Sequence, residues 1–201
     1  MQMWGRWGVV ISGLLLGLGG CSATLPPLSS DAPKEWTTRM VELSAIMQWD
    51  IRGSLSIAHG GENSIASYRW REINLSQYQI DLYGALNLYH TIIAGTPKGV
   101  TLWQSNRVHQ DASTPEELVQ SVLGWPLPVS NLMYWVRGLP APDDTATGAI
   151  FGPSGRLEGL DQDGWHIEWL RYTPVQGRDL PALLRLTRPD WQVKVSITDW
   201  Q

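Results

Sequence analysis

The chain is predicted to be mainly β with short helices: a strongly bent antiparallel sheet or open barrel carrying a helical insert. Three observations support this. Segments of clean apolar–polar alternation recur along the chain, joined by connections too short for anything but antiparallel neighbours. One stretch with helical spacing, residues 114–138, interrupts them. Tryptophan is abundant, twelve against a single Phe at 151, and each indole brings a large flat apolar area with one N–H that needs a partner.

Lys34 to Ser44 carries Trp36, Met40 and Leu43 at helical spacing. The next stretch alternates, with Met47, Trp49, Ile51, Leu55 and Ile57 apolar and Gln48, Asp50, Arg52, Ser54 and Ser56 polar, which describes a strand with one dry face. Gly60-Gly61 turns into a second strand with Ala66, Tyr68 and Trp70 on one face, and a third places Tyr78, Ile80 and Leu82 together. After a loop from Gly84 to Asn87, strands are expected at Leu88 to Ala94, Val100 to Gln104 and Arg107 to Asp111, with turns at Thr96-Pro97-Lys98-Gly99 and Ser105-Asn106.

Thr114-Pro115-Glu116-Glu117 then supplies a capping hydroxyl, Pro at the first helical position and Glu three residues after the cap. Leu118, Val119, Val122 and Leu123 follow, and Gly124 closes a short amphipathic helix. Trp125-Pro126-Leu127-Pro128 breaks the chain, and Ser130 starts a second helix that ends at Gly138. Two helices this short do not make a domain; they cover one side or end of the sheet as a lid. A Pro/Asp/Gly-rich loop is expected from Pro140 to Gly155. Leu157 to Asp161 and Trp165 to Trp169 form a hairpin around Gln162-Asp163-Gly164, and the last strands are Leu183 to Thr187 and Gln192 to Trp200. That makes some ten strands.

The N-terminus reads as an address. Arg6 gives a positive start, Val9 to Leu18 is almost wholly apolar, and Gly19-Gly20 precede Cys21, the chain's single cysteine. The run is too short to span a bilayer, which needs ~20 apolar residues. It matches a lipoprotein leader, residues 1–20, cleaved before a cysteine that takes a diacylglyceryl thioether; the plainer alternative is an ordinary leader followed by a buried thiol. Ser22, rather than Asp, follows Cys21, which by the bacterial sorting rule points to the periplasmic face of the outer membrane. Residues 21–33 are Pro/Ser-rich without apolar period, a tether, and residues 34–201 form one domain. The leader takes one of the 15 basic side chains and none of the 19 acidic ones, so the mature chain is acidic and unsuited to nucleic acid.

Chemistry is sparse. His59, His90, His109 and His166 stand in no metal-ligand spacing. Gly152-Pro153-Ser154-Gly155 reads as a turn, since it lacks the strand-to-helix context of a nucleophile elbow. No phosphate loop or dinucleotide fingerprint is present. Asp143-Asp144 and Asp161/Asp163 read as loop and turn carboxylates, although spacing alone leaves a split acid–base pair open. Neither an enzyme nor a cofactor is indicated. An anchored, Trp-rich bent sheet under apolar helices is a container, and an acyl chain of ~16 carbons left bare in water would cost on the order of 10 kcal/mol.

Several segments resemble the LolB family of outer-membrane lipoproteins: Gln48-Trp49-Asp50-Ile51-Arg52-Gly53-Ser54-Leu55, Tyr68-Arg69-Trp70, Leu123-Gly124-Trp125-Pro126-Leu127-Pro128, Tyr134-Trp135-Val136-Arg137-Gly138-Leu139-Pro140 and the closing Asp199-Trp200. The resemblance implies an antiparallel half-barrel with a helical lid over an apolar cavity. It further implies a monomer without cofactor or nucleotide, which accepts client lipoproteins from the periplasmic carrier LolA and inserts them among outer-membrane lipids. In the family a leucine on the loop between the third and fourth strands acts at the membrane. It falls on Leu86, with Leu88 an alternative because Ala85 and Asn87 depart from the expected Pro-Leu-Gly. Candidate cavity residues are Trp49, Ile51, Leu55, Trp70, Ile80, Leu82, Trp103, Leu118, Val122, Trp135 and Trp169; strand parity groups them but leaves open which face is inside. An anchored envelope-assembly scaffold without lipid transfer is the alternative function. If the anchor only sets location, Cys21→Ala chain released into the periplasm still binds a fluorescent fatty acid; loss of binding with the lipid would tie the two together.

Overall fold

A computed structural model describes residues 32–201 except 75, 85–87 and 105–107. The leader, Cys21, most of the tether, the Ser105-Asn106 turn and Leu86 therefore lie outside the described residues.

The strands form one antiparallel sheet. Strands β1 (Trp49–His59), β2 (Glu62–Asn74), β3 (Gln77–Gly84), β4 (Leu88–Thr96), β5 (Gly99–Gln104) and β6 (Val108–Ala112) make a first meander. Strands β7 (Thr147–Phe151), β8 (Leu157–Gln162), β9 (Trp165–Val175), β10 (Arg178–Arg188) and β11 (Trp191–Trp200) make a second. The spatial order is β6-β5-β4-β3-β2-β1-β11-β10-β9-β8-β7, so β1 pairs with β11 and the two meanders join at the centre. The edges β6 and β7 do not pair. The result is an unclosed, curled sheet.

Alternation explains the layering. In β1 the side chains of Ile51, Leu55 and Ile57 are buried, and in β11 those of Val193, Val195 and Ile197. The opposite face carries ion pairs in its place, among them Asp50 with Arg69, Arg71 with Asp81, and Arg185 with Glu168. Curvature enters at a register shift between Arg52 and Gly53 against β11. A Cβ on Gly53 would stand 1.7 Å from Ser196 O, so only glycine lets the two backbones approach there. At Gly95 the Tyr78 ring lies where a Cβ would be, 2.1 Å from its Cε1.

Helix α1 (Lys34–Ser44) buries Trp36 and Leu43. Between β6 and β7 run α2 (Pro115–Leu118), a π-helical turn (Val119–Leu123) and α3 (Val129–Trp135). Thr114 caps α2 by accepting from Glu117 N at 3.3 Å, while the Glu117 carboxylate accepts from Ser113 N at 3.2 Å. Gly124, at φ 70°, ends the π turn in the left-handed conformation that glycine adopts without a steric penalty. Helix α3 starts one residue before the expected Ser130. Glu116 Oε1 accepts from Ser130 N at 2.7 Å, so the first helix of the insert satisfies a free donor of the second.

Two strand expectations need correction. The loop expected from Pro140 to Gly155 contains β7, an edge strand that pairs only with β8 and with register shifts. Strand β10 starts at Arg178 instead of Leu183, because Pro181, which lacks a ladder donor, is absorbed at an irregularity before Leu183. Among the described residues the strands therefore number eleven.

One buried amide joins sheet and insert. Gln162 on β8 accepts from Trp135 Nε1 and Ala141 N, both at 2.9 Å, and donates to Ala141 O at 2.8 Å and Asp144 O at 2.7 Å. Trp169 Nε1 adds a bond to Trp135 O at 2.8 Å. Gln162→Leu leaves the Trp135 and Ala141 donors buried without partners. Urea unfolding is expected to show a loss of about 3 to 5 kcal/mol, well beyond an ordinary surface change.

Candidate functional site

The insert covers the concave face and leaves a small apolar cavity of ≈ 60 Å³ beneath it. Its floor comes from the inward rows of the sheet: Leu55, Tyr68, Trp70, Ile80, Leu82, Ile93 and Val195. Its roof comes from the π turn, the Trp125-Pro126-Leu127-Pro128 connection and α3, through Val119, Leu123, Trp125, Leu127, Val129, Leu132 and Val136. The Tyr68 hydroxyl is directed into the sheet, donating to Ser196 O at 3.2 Å. Small-molecule sites commonly measure ~300–1,000 Å³. Roof and floor are in contact, and a guest of that size would enter only if they separated.

Of the candidates read from the sequence, Leu55, Trp70, Ile80 and Leu82 line this cavity. Trp49, Ile51, Leu118, Trp135 and Trp169 are buried in the surrounding core without lining it, and Val122 packs against that core partly exposed. Trp103 faces the other way. It is 40% exposed on the outer surface near His109, because the pleat gives the inward place in β5 to Leu102. The Trp125-Pro126-Leu127-Pro128 segment, expected as a chain break and as part of the family resemblance, supplies part of the roof through Trp125 and Leu127. Tyr68 was legible, since it shares parity with Trp70. Leu88 opens β4 opposite Gly84, at the base of the loop that carries Leu86.

Next to the cavity is a group of buried polar side chains. Glu72 continues the inward row of Ala66, Tyr68 and Trp70 and is 3% exposed. Trp70 Nε1 donates to Glu72 Oε2 at 3.3 Å. Arg137, just beyond α3, donates from Nε to Met133 O and from Nη1 to Ile46 O, both at 2.9 Å. Its guanidinium lies 5.0 Å from the ring centres of both Trp49 and Tyr134. Burial raises the Glu72 carboxyl from an ordinary 4.5 to about 7, against the opposing pull of the Trp70 N–H and the Arg137 charge. Burial also lowers Arg137 and raises the Tyr78 phenol.

The remaining titratable groups are dispersed. His90 meets the buried Asp81 at 2.9 Å, and His166 meets the exposed Asp161 at 2.6 Å. Among the described residues no three His, Cys, Asp or Glu side chains gather into a metal site.

The raised Glu72 has a linkage consequence. Between pH 4.5 and about 7 the unfolded chain loses this proton while the folded chain keeps it. Glu72 therefore leaves stability intact below 4.5 and withdraws it as pH rises through 7, by on the order of 2 kcal/mol once solvent screening is allowed for. Glu72→Gln is expected to flatten that slope. Urea unfolding of both proteins at pH 5 and pH 8 measures it, and equal slopes would remove Glu72 as the cause.

A family profile described as "Outer membrane lipoprotein LolB" matches residues 47–200. The outer-membrane lipoprotein LolB of Coxiella burnetii is 41% identical over 199 residues, covering 98% of this chain and 93% of that protein. The LolB of Pseudomonas putida is 36% identical over 188 residues, covering 94% and 91%. Among solved structures, a LolA superfamily protein from Nitrosomonas europaea superposes with a TM-score of 0.58 at 6% identity, covering 83% of this chain and 92% of that one. A DUF1329 family protein from Desulfovibrio piger gives 0.55 at 11% identity, covering 86% and 93%. At such identities the likeness concerns the curled sheet and its helices alone. The sequence relatives extend along nearly the whole chain, and the protein belongs to the outer membrane lipoprotein LolB family, whose members traffic lipoproteins and are not enzymes.

Proposed function

We propose that this chain is a lipid-anchored receptor on the periplasmic face of the outer membrane, which takes lipoproteins from the periplasmic carrier LolA and inserts them into that membrane. It acts as a monomer and without nucleotide. The observation that carries the reading is the wholly apolar cavity closed by the one segment that joins the two free edges of the sheet. Acyl chains replace the roof against the floor when the insert lifts. Residues 1–20 are the leader, Cys21 carries the lipid, and residues 21–33 are the tether that lets the domain face its carrier. Transfer runs in the direction of tighter acyl binding, since only differential affinity moves a ligand between two proteins.

Insertion falls to the loop between β3 and β4. Tyr83, exposed and stacked on His90 at 4.6 Å, gives the base of this loop an amphipathic character suited to a headgroup layer. A leucine of this loop, Leu86 or else Leu88 at the start of β4, gains ~1.5–3 kcal/mol on entering lipid, enough to bias docking and too little to anchor.

The decisive experiment is transfer of a labelled lipoprotein from its carrier to the Cys21→Ala chain without ATP. Transfer is expected, together with quenching of indole emission by a fluorescent fatty acid, because Trp70 and Trp125 line the cavity. Absence of both leaves the envelope scaffold as the better account. Leu86→Glu in the anchored chain is expected to keep uptake and lose insertion into liposomes; insertion at the normal rate removes Leu86 from the mechanism and leaves Leu88 to be tested.

A further inference from the structure

The polar group beside the cavity is unusual in what it leaves unpaired. Trp49, Glu72 and Tyr78 are successive cross-strand partners on β1, β2 and β3, and Arg137 meets them from the insert. They are 4%, 3%, 7% and 2% exposed. Each keeps one buried polar atom without a partner: Trp49 Nε1, Glu72 Oε1, the Tyr78 hydroxyl and Arg137 Nη2. Every other such atom among the described residues is the Nε of an arginine elsewhere. The four side chains are otherwise held firmly, Glu72 by Trp70, Arg137 by two carbonyls and two rings, and Tyr78 by its seat over Gly95. Native proteins rarely leave several buried polar atoms unpaired in one place, since each is a standing destabilisation.

Position adds a second argument. On one side the cluster is one residue removed from the apolar cavity, whose lining includes Trp70, which donates to Glu72, and Val136, which precedes Arg137. On the other side Trp49 and Ile46 belong to the wall of a surface cleft of ≈ 440 Å³, between the α1–β1 connection and the β9–β10 hairpin. A ligand with an apolar end in the cavity and a polar end leaving by the cleft would place its junction here.

We infer that Trp49, Glu72, Tyr78 and Arg137 form the subsite for the polar junction of a lipid-modified N-terminal cysteine, its hydrocarbon in the apolar cavity and its polypeptide leaving by the cleft. The inference rests on the acyl-binding reading proposed above. The unpaired groups match that junction in kind. Trp49, Tyr78 and Arg137 offer three donor atoms, and Glu72 offers one acceptor atom. A triacylated cysteine presents the carbonyl oxygens of two glyceryl esters and one amide, three acceptors, together with one amide N–H. A free fatty acid lacks the N–H and brings a carboxylate against Glu72. A phospholipid brings a phosphate in place of the amide.

The test compares two probes on the Cys21→Ala chain: N-palmitoyl-S-(dipalmitoylglyceryl)cysteinyl-serine, which has the junction, and diphenylhexatriene, which is hydrocarbon alone. Tyr78→Phe and Glu72→Gln are each expected to weaken the acylated dipeptide about tenfold and to leave diphenylhexatriene within about twofold. Tyr78→Phe is also expected to raise the melting temperature of the unliganded protein, because it deletes an unpaired buried hydroxyl and nothing bonded to it. A lower melting temperature with equal weakening of both probes makes the cluster structural and overturns the inference. Unchanged affinity for both probes also overturns it. If the parent chain binds diphenylhexatriene but the variants do not discriminate, only the subsite falls. If the parent chain binds neither probe, the acyl-binding reading falls and takes the subsite with it.

Discussion

The two ends of the sheet do not meet, and much of the molecule follows from that. Pairing β1 with β11 places the most buried strands at the centre and sends β6 and β7 to opposite edges. A curled sheet in this form has one apolar concave face that water must not reach. The chain between the two edges has to cross that face in any case, so the segment that connects them also covers them. The lid is thus a consequence of topology, and its apolar residues at 118, 119, 125, 127, 129 and 132 are what the crossing requires.

The crossing is held unevenly. Its far end is bound to the sheet by Gln162 and Trp169, through Trp135 and the backbone of Ala141 and Asp144. Its near end is stiffened by the Thr114 cap and by Glu116 reaching Ser130 N. Between them the π turn, the left-handed Gly124 and the Trp125-Pro126-Leu127-Pro128 connection meet the floor through apolar contacts. Apolar contacts are non-directional and can be exchanged for others of the same kind. A π turn is a strained form of helix that recurs at functional positions. The part of the lid over the cavity is therefore the part whose displacement breaks the fewest directional bonds.

The sequence discloses this unevenly as well, for physical reasons. Strands β1 to β3 alternate so regularly that their faces and turns are legible. Strand β7 is not, because Thr147-Gly148-Ala149-Ile150-Phe151 pairs on one side only, with slipped register and Ile150 exposed, so burial imposes no period on it. The start of β10 is hidden by Pro181, which reads as a break and is tolerated at an irregularity. Parity places Leu55, Trp70, Ile80 and Leu82 together, but a single strand does not reveal which side curls inward, and Trp103 falls on the convex side. Glu72 and Arg137 were hidden for a different reason. A charge at an inward position reads as the end of a strand or helix, and only the three-dimensional placement of both shows that the charged residues lie inside.

On the proposed reading, those buried charges bear on how the protein exchanges its cargo. With roof and floor in contact, loading would then remove one set of apolar contacts and install another, so the hydrocarbon would contribute little net preference for the loaded state. The same cancellation holds in any carrier whose lid closes on its own empty cavity. A difference in affinity between two such proteins then has to arise from groups that are unsatisfied in one state and satisfied in the other. Unpaired buried donors and acceptors are such groups, because they lower the stability of the empty state and recover it only with a ligand that can bond to them. On the proposed reading, the stability forgone at Trp49, Glu72, Tyr78 and Arg137 is the reserve from which a preference for lipoprotein over bare hydrocarbon is drawn.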